Sequence, residues 1–417
     1  MMRVIPLLIG VLLASSVGAQ PDVRLRVTKE EHQAIRIAIE DSTEVTSCLK
    51  SMHQAFSGFF RWALEVTSYL EIAESTEKGK PQASVHLRGS PREETIAYEI
   101  TLVDYPSKAT IFRRIYSCSD ETIKSTAYVA ADDIIFALTG RNGIASTRLA
   151  FVAGEKSKSH LYVVDLDGSN LRKLTSSPGI VMSPAWSPDG SRLAYVSYRQ
   201  GKPDLYVVNL SNLATTRFLA FEGLNATPSW SPDGKHLAVT LSKDGNPEIY
   251  IISIDGKTIK RVTFYSGIDC SPTWAPNGLE IAFTSDRTGS PQIFVTDIEG
   301  LSVRRLTQEG SYNTSPAWSP QGDLIAFVSR IDGKFQICTV DPFGTEITVL
   351  TEVGNNEDPA WSPDGMHIAF SSTIGGNTGI YIMKRDGTSK RLIVDGFQLA
   401  RSPSWTRQAR VTSSRGG

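Results

Sequence analysis

The sequence predicts a mostly β chain: a six-bladed β-propeller of four-stranded antiparallel blades, preceded by a small N-terminal α/β domain. Three observations carry this. One short phrase recurs six times, the same series of strand signals follows each copy, and the array starts and stops on fragments that complement one another. The copies read SPAWSPDG from Ser183, TPSWSPDG from Thr227, SPTWAPNG from Ser271, SPAWSPQG from Ser315, DPAWSPDG from Asp358 and SPSWT from Ser402. Their tryptophans, Trp186, Trp230, Trp274, Trp318, Trp361 and Trp405, are spaced by 44, 44, 44, 43 and 44 residues. A period of about 40–45 residues is that of one propeller blade.

Each repeat spells four strands. In the first, Pro184-Ala185-Trp186 ends a short strand and Ser187-Pro188-Asp189-Gly190 forms a tight turn. Proline presets φ there and glycine closes the turn. Leu193 to Ser197 returns, Leu205 to Asn209 is rich in β-formers, and Thr216 to Leu219 completes the set. The fourth strand recurs as Arg261-Val262-Thr263, Arg305-Leu306-Thr307 and Val349-Leu350-Thr351. Leu149 to Val152, Leu161 to Val164 and Lys173 to Thr175 have no tryptophan strand before them, and Ser402 to Thr406 has nothing after it. Together they make the sixth blade, so the C-terminal strand closes the ring and leaves no open edge. A group repeated six times is a packing unit. The tryptophans are therefore read as wedges between blades, each costing roughly 3–5 kcal/mol if cut to alanine.

Composition narrows the function. The chain has 417 residues, 40% of them hydrophobic, enough for two cores, and a net charge of −1. No basic stripe is present, which argues against nucleic acid as a partner. Residues 1–19 read as a signal peptide: Arg3, an apolar stretch from Val4 to Leu13, and a small-residue run ending at Val17-Gly18-Ala19. That stretch is too short to span a bilayer, and no other is long enough, so the mature protein is expected to be exported without a membrane span. Export permits disulfides. Cys48 and Cys118 share the first domain and can pair, whereas Cys270 and Cys338 lie at different phases of different repeats.

The expected domains are 20–140, α/β, then the propeller over 141–410 and a flexible tail over 411–417. In the first, Val23 to Val27 and Ile35 to Ile39 alternate like strands, Thr43 to Ala63 reads as a helix, and four more strand signals follow. Glu121 to Leu138 reads as a second helix ended by Gly140.

The sequence offers no catalytic or metal-binding constellation and calls for no cofactor. It has no G-x-S-x-G elbow, no H-E-x-x-H, no P-loop and no G-x-G-x-x-G, and its six histidines are scattered. Asp132-Asp133 is read as a solvated or capping pair on the second helix.

The small α/β domain, the joining segment Ala131 to Gly140 running through Thr147 to Val152, and the six-fold SPAWSPDG ring together resemble the TolB family of the periplasmic Tol-Pal system. The resemblance implies a non-enzymatic periplasmic adaptor that serves envelope integrity and division. It implies a Pal-like outer-membrane lipoprotein at one channel mouth. It also implies a TolA-like inner-membrane protein engaged by an N-terminal arm, here Asp22, Val23, Arg24, Leu25, Arg26, Val27 and Thr28. The partner-binding loops are then those just before each tryptophan strand, with Met182, Leu224, Asn225, Ile268, Asp269, Tyr312, Asn313, Thr314, Asn356, Glu357 and Arg401 as candidates. They vary where the frame beside them repeats, as expected of loops that carry binding on a rigid scaffold. Leu224 stands where some family members have histidine, and the chain between Ile72 and Ala83 is shorter than is usual in the family. The competing reading is a propeller enzyme, a hydrolase or lyase, using a dyad such as Asp269 with Glu357 at the channel mouth. A peptidase-type propeller cut from its catalytic domain is opposed by the leader and the domain ahead of the ring.

Overall fold

The computed structural model describes residues 34–43, 49–73, 81–155 and 157–406. The leader, the arm at 22–28, Cys48 and the tail at 411–417 lie outside the described residues.

The N-terminal domain is a five-stranded sheet covered by two helices. In chain order its elements are β1 (Ile35–Asp41), α1 (Lys50–Glu65), β2 (Leu70–Ile72), β3 (Ala83–Arg92), β4 (Thr95–Asp104), β5 (Thr110–Cys118) and α2 (Ile123–Thr139). The strand order is β2-β1-β3-β4-β5. Pairing is parallel on both sides of β1 and antiparallel from β3 to β5. The apolar face of α1, with Phe56, Phe60 and Leu64, packs with Ile134 and Ile135 of α2 over Val85, Tyr98 and Ile100 of the sheet. Phe56 stacks on Tyr98 at 3.8 Å between ring centroids. As expected, α2 ends at Gly140, which takes the left-handed φ of 70° and donates its N–H to Phe136 O. Cys118 is a free buried thiol that reaches Ile96 O at 3.7 Å.

The ring has six four-stranded sheets. The innermost strands of blades 1 to 6 are Val181–Trp186, Asn225–Trp230, Asp269–Trp274, Asn313–Trp318, Asn355–Trp361 and Leu399–Trp405. Leu399–Trp405 pairs antiparallel with Arg148–Glu155, so the two ends of the ring share blade 6 as the fragments require. All six tryptophans are buried. The indole of Trp230 donates to Ala185 O in the blade before it, and Trp274, Trp361 and Trp186 do the same to Ser229 O, Ala317 O and Ser404 O, at 2.9–3.1 Å. Trp405 donates instead to Thr147 Oγ1 on the interdomain segment, at 2.8 Å. The indole nitrogen of Trp318 is buried with no partner among the described residues.

Two expectations shift. The fourth strands end earlier than their apolar pattern suggests, at Lys173, Arg261, Arg305 and Val349. A threonine hydroxyl just beyond each of them takes over as ladder acceptor: Thr175, Thr263, Thr307 and Thr351 accept from Leu161, Ile249, Ile293 and Ile337 N–H at 2.9–3.0 Å. Asp132 is buried rather than solvated. Its carboxylate accepts from Ala145 N and from the backbone and hydroxyl of Ser146, pinning the interdomain segment to α2. Burial pushes it up to about 6, against those hydrogen bonds.

The domain sits on the end of the ring where the tryptophan strands finish. Met366, next to the SPDG turn of blade 5, enters the domain's own core. Lys124 of α2 bridges Asp165 and Asp167 of blade 6 at 3.1 and 3.0 Å. Arg391 stacks on Trp62 of α1 at 5.4 Å. The opposite mouth, where the inner strands begin, carries the candidate loops.

Candidate functional site: the free channel mouth

Each inner strand contains a repeated break. Ser183, Thr227, Ser271, Ser315, Asp358 and Ser402 all take positive φ, between 46° and 55°. The pairing register slips at the same place in every blade. A left-handed non-glycine residue of this kind costs on the order of 1–3 kcal/mol, and here it forms a β-bulge. A bulge resets the two-residue alternation. In blades 1 to 4 the residue heading the strand therefore turns into the wall, and in blades 5 and 6 the second residue does so, while the next two line the channel.

That geometry divides the candidates. Asn225, Asp269 and Asn313 have no exposed surface and Asn356 has 2%. They are corrections to the expected contact set: each is a latch inside the wall, and its polar atoms are directed at the scaffold. Asn313 donates to Gln292 Oε1 at 2.8 Å, and Asn356 to Gln336 Oε1 at 2.9 Å. Asn225 donates to Pro203 O and Phe221 O at 3.0 and 2.8 Å. Asp269 accepts from Arg287 Nη2 at 2.7 Å. Beside it lies Glu248, also fully buried, accepting from Asn246, Arg261, Thr263 and Tyr265 N–H. Burial lifts the Asp269 carboxyl above its ordinary range, with Glu248 adding to the rise and the Ser285 hydroxyl and Arg287 opposing it. Burial acts the same way on Glu248, but its four donors outweigh it and hold that carboxyl below the usual value.

The other candidates remain accessible. Ile268 is 48% exposed and Glu357 is exposed, while Met182, Leu224, Tyr312, Thr314 and Arg401 are half-buried. Met182, Thr314, Glu357 and Arg401 occupy equivalent channel-facing positions, with Cys270 in the same tier. Partial desolvation by the channel walls raises the Glu357 carboxyl, Asp358 reinforces the rise and Arg401 on the next blade counters it. Asp269 and Glu357 do not form a dyad: one is spent on Arg287 inside the wall of blade 3, the other faces the channel from blade 5. Two mouth residues were missed. Phe264, 73% exposed beneath the Arg261 guanidinium at 4.6 Å, and Val353, 68% exposed, lie in the same loops a few residues upstream. Their signal was an apolar side chain at a loop position. Among the described residues, no three His, Cys, Asp or Glu side chains are grouped so as to hold a metal ion.

The model of the TolB beta propeller domain matches residues 136–409. A crystal structure of TolB from Acinetobacter baumannii superposes with a TM-score of 0.77 and 28% identity, covering 90% of this chain and 97% of that one. The Tol-Pal system protein TolB of Syntrophotalea carbinolica is 35% identical over 211 residues, 46% of this chain and 49% of the relative. That of Nitrosomonas europaea is 45% identical over 71 residues, 17% of each chain. The matched stretch thus spans about half the length of the first of these curated relatives, and less of the second. The ring and the domain ahead of it both have counterparts in one group of proteins, and the chain belongs to the TolB family of the Tol-Pal system.

Proposed function

We propose that this chain is a non-catalytic periplasmic adaptor that links a Pal-like lipoprotein of the outer membrane to a TolA-like protein of the inner membrane, in support of envelope integrity and division. The observation that carries the reading is the asymmetry of the ring. One end is occupied by the N-terminal domain, and the other presents non-repeating side chains on six equivalent positions of a stiff frame. Leu224, Phe264, Ile268, Tyr312 and Val353 supply apolar contact, and Glu357 and Arg401 supply one charge of each sign at the channel entrance. An apolar centre with a few placed charges is the usual anatomy of a protein interface. The arm at 22–28 is the segment proposed to engage the inner-membrane partner. Arm and mouth are coupled if the arm has a docked and a released state and the lipoprotein favours one of them.

The test is recovery of a peptidoglycan-associated lipoprotein from envelope extracts. The wild-type chain is expected to retain it, and Ile268→Asp with Tyr312→Ala to lose at least about tenfold in recovery, since truncating central interface residues costs on the order of 2 kcal/mol. Substitutions at Asn225, Asp269 or Asn313 are unsuitable for this purpose because they damage the wall. Failure of the wild-type chain to retain any such lipoprotein removes the adaptor reading.

A further inference from the structure

Two seams on the domain-bearing end of the ring hold an arginine of the chain itself against a tryptophan wedge. Between blades 6 and 1 the Arg148 guanidinium lies over Trp186 at 5.5 Å. Between blades 4 and 5 the Arg385 guanidinium lies over Trp361 at 6.0 Å. It donates to Asp323 at 2.6 Å and to Gln321 Oε1 at 3.5 Å, both on the turn of blade 4. The seam between blades 2 and 3 repeats this frame without the arginine. Ile298 takes the place of Arg385: each follows the last pair of its hairpin ladder, Glu280 with Asp297 or His367 with Lys384. Each donates its N–H to the residue ahead of that ladder, Leu279 O at 3.0 Å or Met366 O at 2.9 Å. Asp233 takes the place of Gln321 in the turn. What remains at Trp274 is a cavity of about 390 Å³, walled by Ile251 and Ile298 and edged by Asp233 and Asn277.

The charges at this cavity leave room for a further cation. Asp233 is exposed, and the Ser231 hydroxyl and the Lys235 N–H both donate to its Oδ1, at 2.6 and 3.0 Å. They hold its carboxyl below the ordinary range, and among the described residues no donor occupies Oδ2. Of the two basic side chains in the lining, Lys260 extends to Glu299 of blade 3 at 2.5 Å. The other, His236, stands in the place of Arg148 and carries an imidazole where that blade has a guanidinium. The seam between blades 1 and 2 is different. Its cavity is about 220 Å³, Arg192 lines it, and the carboxylate of its turn, Asp189, is bonded on both oxygens. We propose that the slot between blades 2 and 3 is a docking site for an arginine side chain presented by a partner protein, its guanidinium seated against the Trp274 indole and donating to Asp233.

The chemistry of the occupant follows from the molecule's own solution at the equivalent seams. A guanidinium is planar, stacks on an indole and offers a fork of donors to a carboxylate, which an ammonium does not. A protein source follows from the rim. Leu279 is 60% exposed, Ile259 41% and Leu301 87%, and each lies within three residues of the lining residues Gly278, Thr258 or Ile298. An anchored arginine surrounded by apolar contact is the usual centre of a protein interface. The slot lies at the opposite end of the ring from the free mouth, so the proposal does not depend on which partner occupies that mouth.

The experiment follows the Trp274 indole N–H signal by NMR of the full chain during titration with the peptide acetyl-Leu-Arg-Leu-amide. The signal should shift saturably. Peptides with citrulline or lysine at the centre should bind at least about tenfold more weakly, because they lack the charge or the planar fork. Asp233→Asn removes the charge of the acceptor, with a residue that the turn of blade 3 already carries as Asn277, and should weaken the arginine peptide by about tenfold. Ile298→Arg supplies the guanidinium from within and should abolish the shift. A wild-type signal that does not shift saturably overturns the proposal, and so does a citrulline peptide that binds as tightly as the arginine peptide; both results stand even if Ile298→Arg fails to fold. A shift that persists in a folded Ile298→Arg overturns it as well. Equal binding of acetyl-arginine-amide, which lacks the flanking leucines, overturns the assignment to a protein partner.

Discussion

Blades 2 and 4 hold to their following neighbours through the same three positions, in two different chemistries. Between blades 4 and 5 the latch is neutral: Gln336 accepts from Thr351 at 2.8 Å and from Asn356 at 2.9 Å. The seam between blades 3 and 4 repeats it with Gln292, Thr307 and Asn313. Between blades 2 and 3 the corresponding residues are Glu248, Thr263 and Asp269, two carboxylates with no exposed surface. Arginines compensate: Arg261 reaches Glu248 at 2.8 Å and Arg287 reaches Asp269 at 2.7 Å. Blade 1 carries a charged relative of this arrangement in Asp204 and Arg217, at 2.6 Å. One backbone frame thus accepts a neutral or an ionic filling. The difference lies in what happens when one member is removed, since an amide leaves a dipole behind and a carboxylate leaves a half-buried cation.

The comparison can be broken at its strongest point first. Glu248→Ala leaves the half-buried Arg261 and three further donors without this acceptor and should cost about 3–5 kcal/mol in urea unfolding, as when one member of a hydrogen-bonded charge pair is removed from a protein interior. Asn313→Ala, at the neutral seam, should cost about 1–3 kcal/mol. Equal losses at the two sites would mean that charge adds nothing to the frame.

The pH dependence sharpens the contrast. The folded state holds Glu248 below its ordinary 4.5, so its contribution is complete above that value and is lost as pH falls through the folded titration. Glu248→Gln should flatten the acid limb of a stability–pH curve, and Gln292→Ala should leave that limb unchanged. Asp269 has the opposite sign. Its folded-state value is raised, so its contribution is complete below the ordinary 3.8 and declines as pH rises through the folded titration. Asp269→Asn gives that position the residue found at the neutral seams and leaves Arg287 stacked over Tyr265, Phe283 and Phe294. It should change stability at neutral pH by less than about 1 kcal/mol, a surface-like effect despite full burial.

Much of the architecture was legible because it is written in a period. The 44-residue spacing, the turn glycines and the complementary end fragments specify the number of blades and the manner of closure. The second helix was legible to within two residues, through its apolar face and Gly140. The candidate site was legible only in part. Loop position alone identified Ile268, Tyr312 and Glu357 as accessible, but it also selected Asn225, Asp269, Asn313 and Asn356, which face inward. Counting back from each tryptophan by twos puts Asn225, Asp269, Asn313 and Asn356 on the channel side. The left-handed serine, threonine or aspartate before proline reverses that phase, and nothing in a serine–proline pair announces positive φ.

The sequence by itself determined the closed six-fold ring, because packing of identical units propagates locally and each unit repeats its turn and wedge residues. Only the tertiary structure decided which end of the ring the first domain covers and which mouth stays open. Met366, Ser68 and His367 meet across some 300 positions of chain, and such contacts follow no period. The same holds for the split between latch and lining side chains, which depends on a bulge whose energy is met by the pairing of the whole blade.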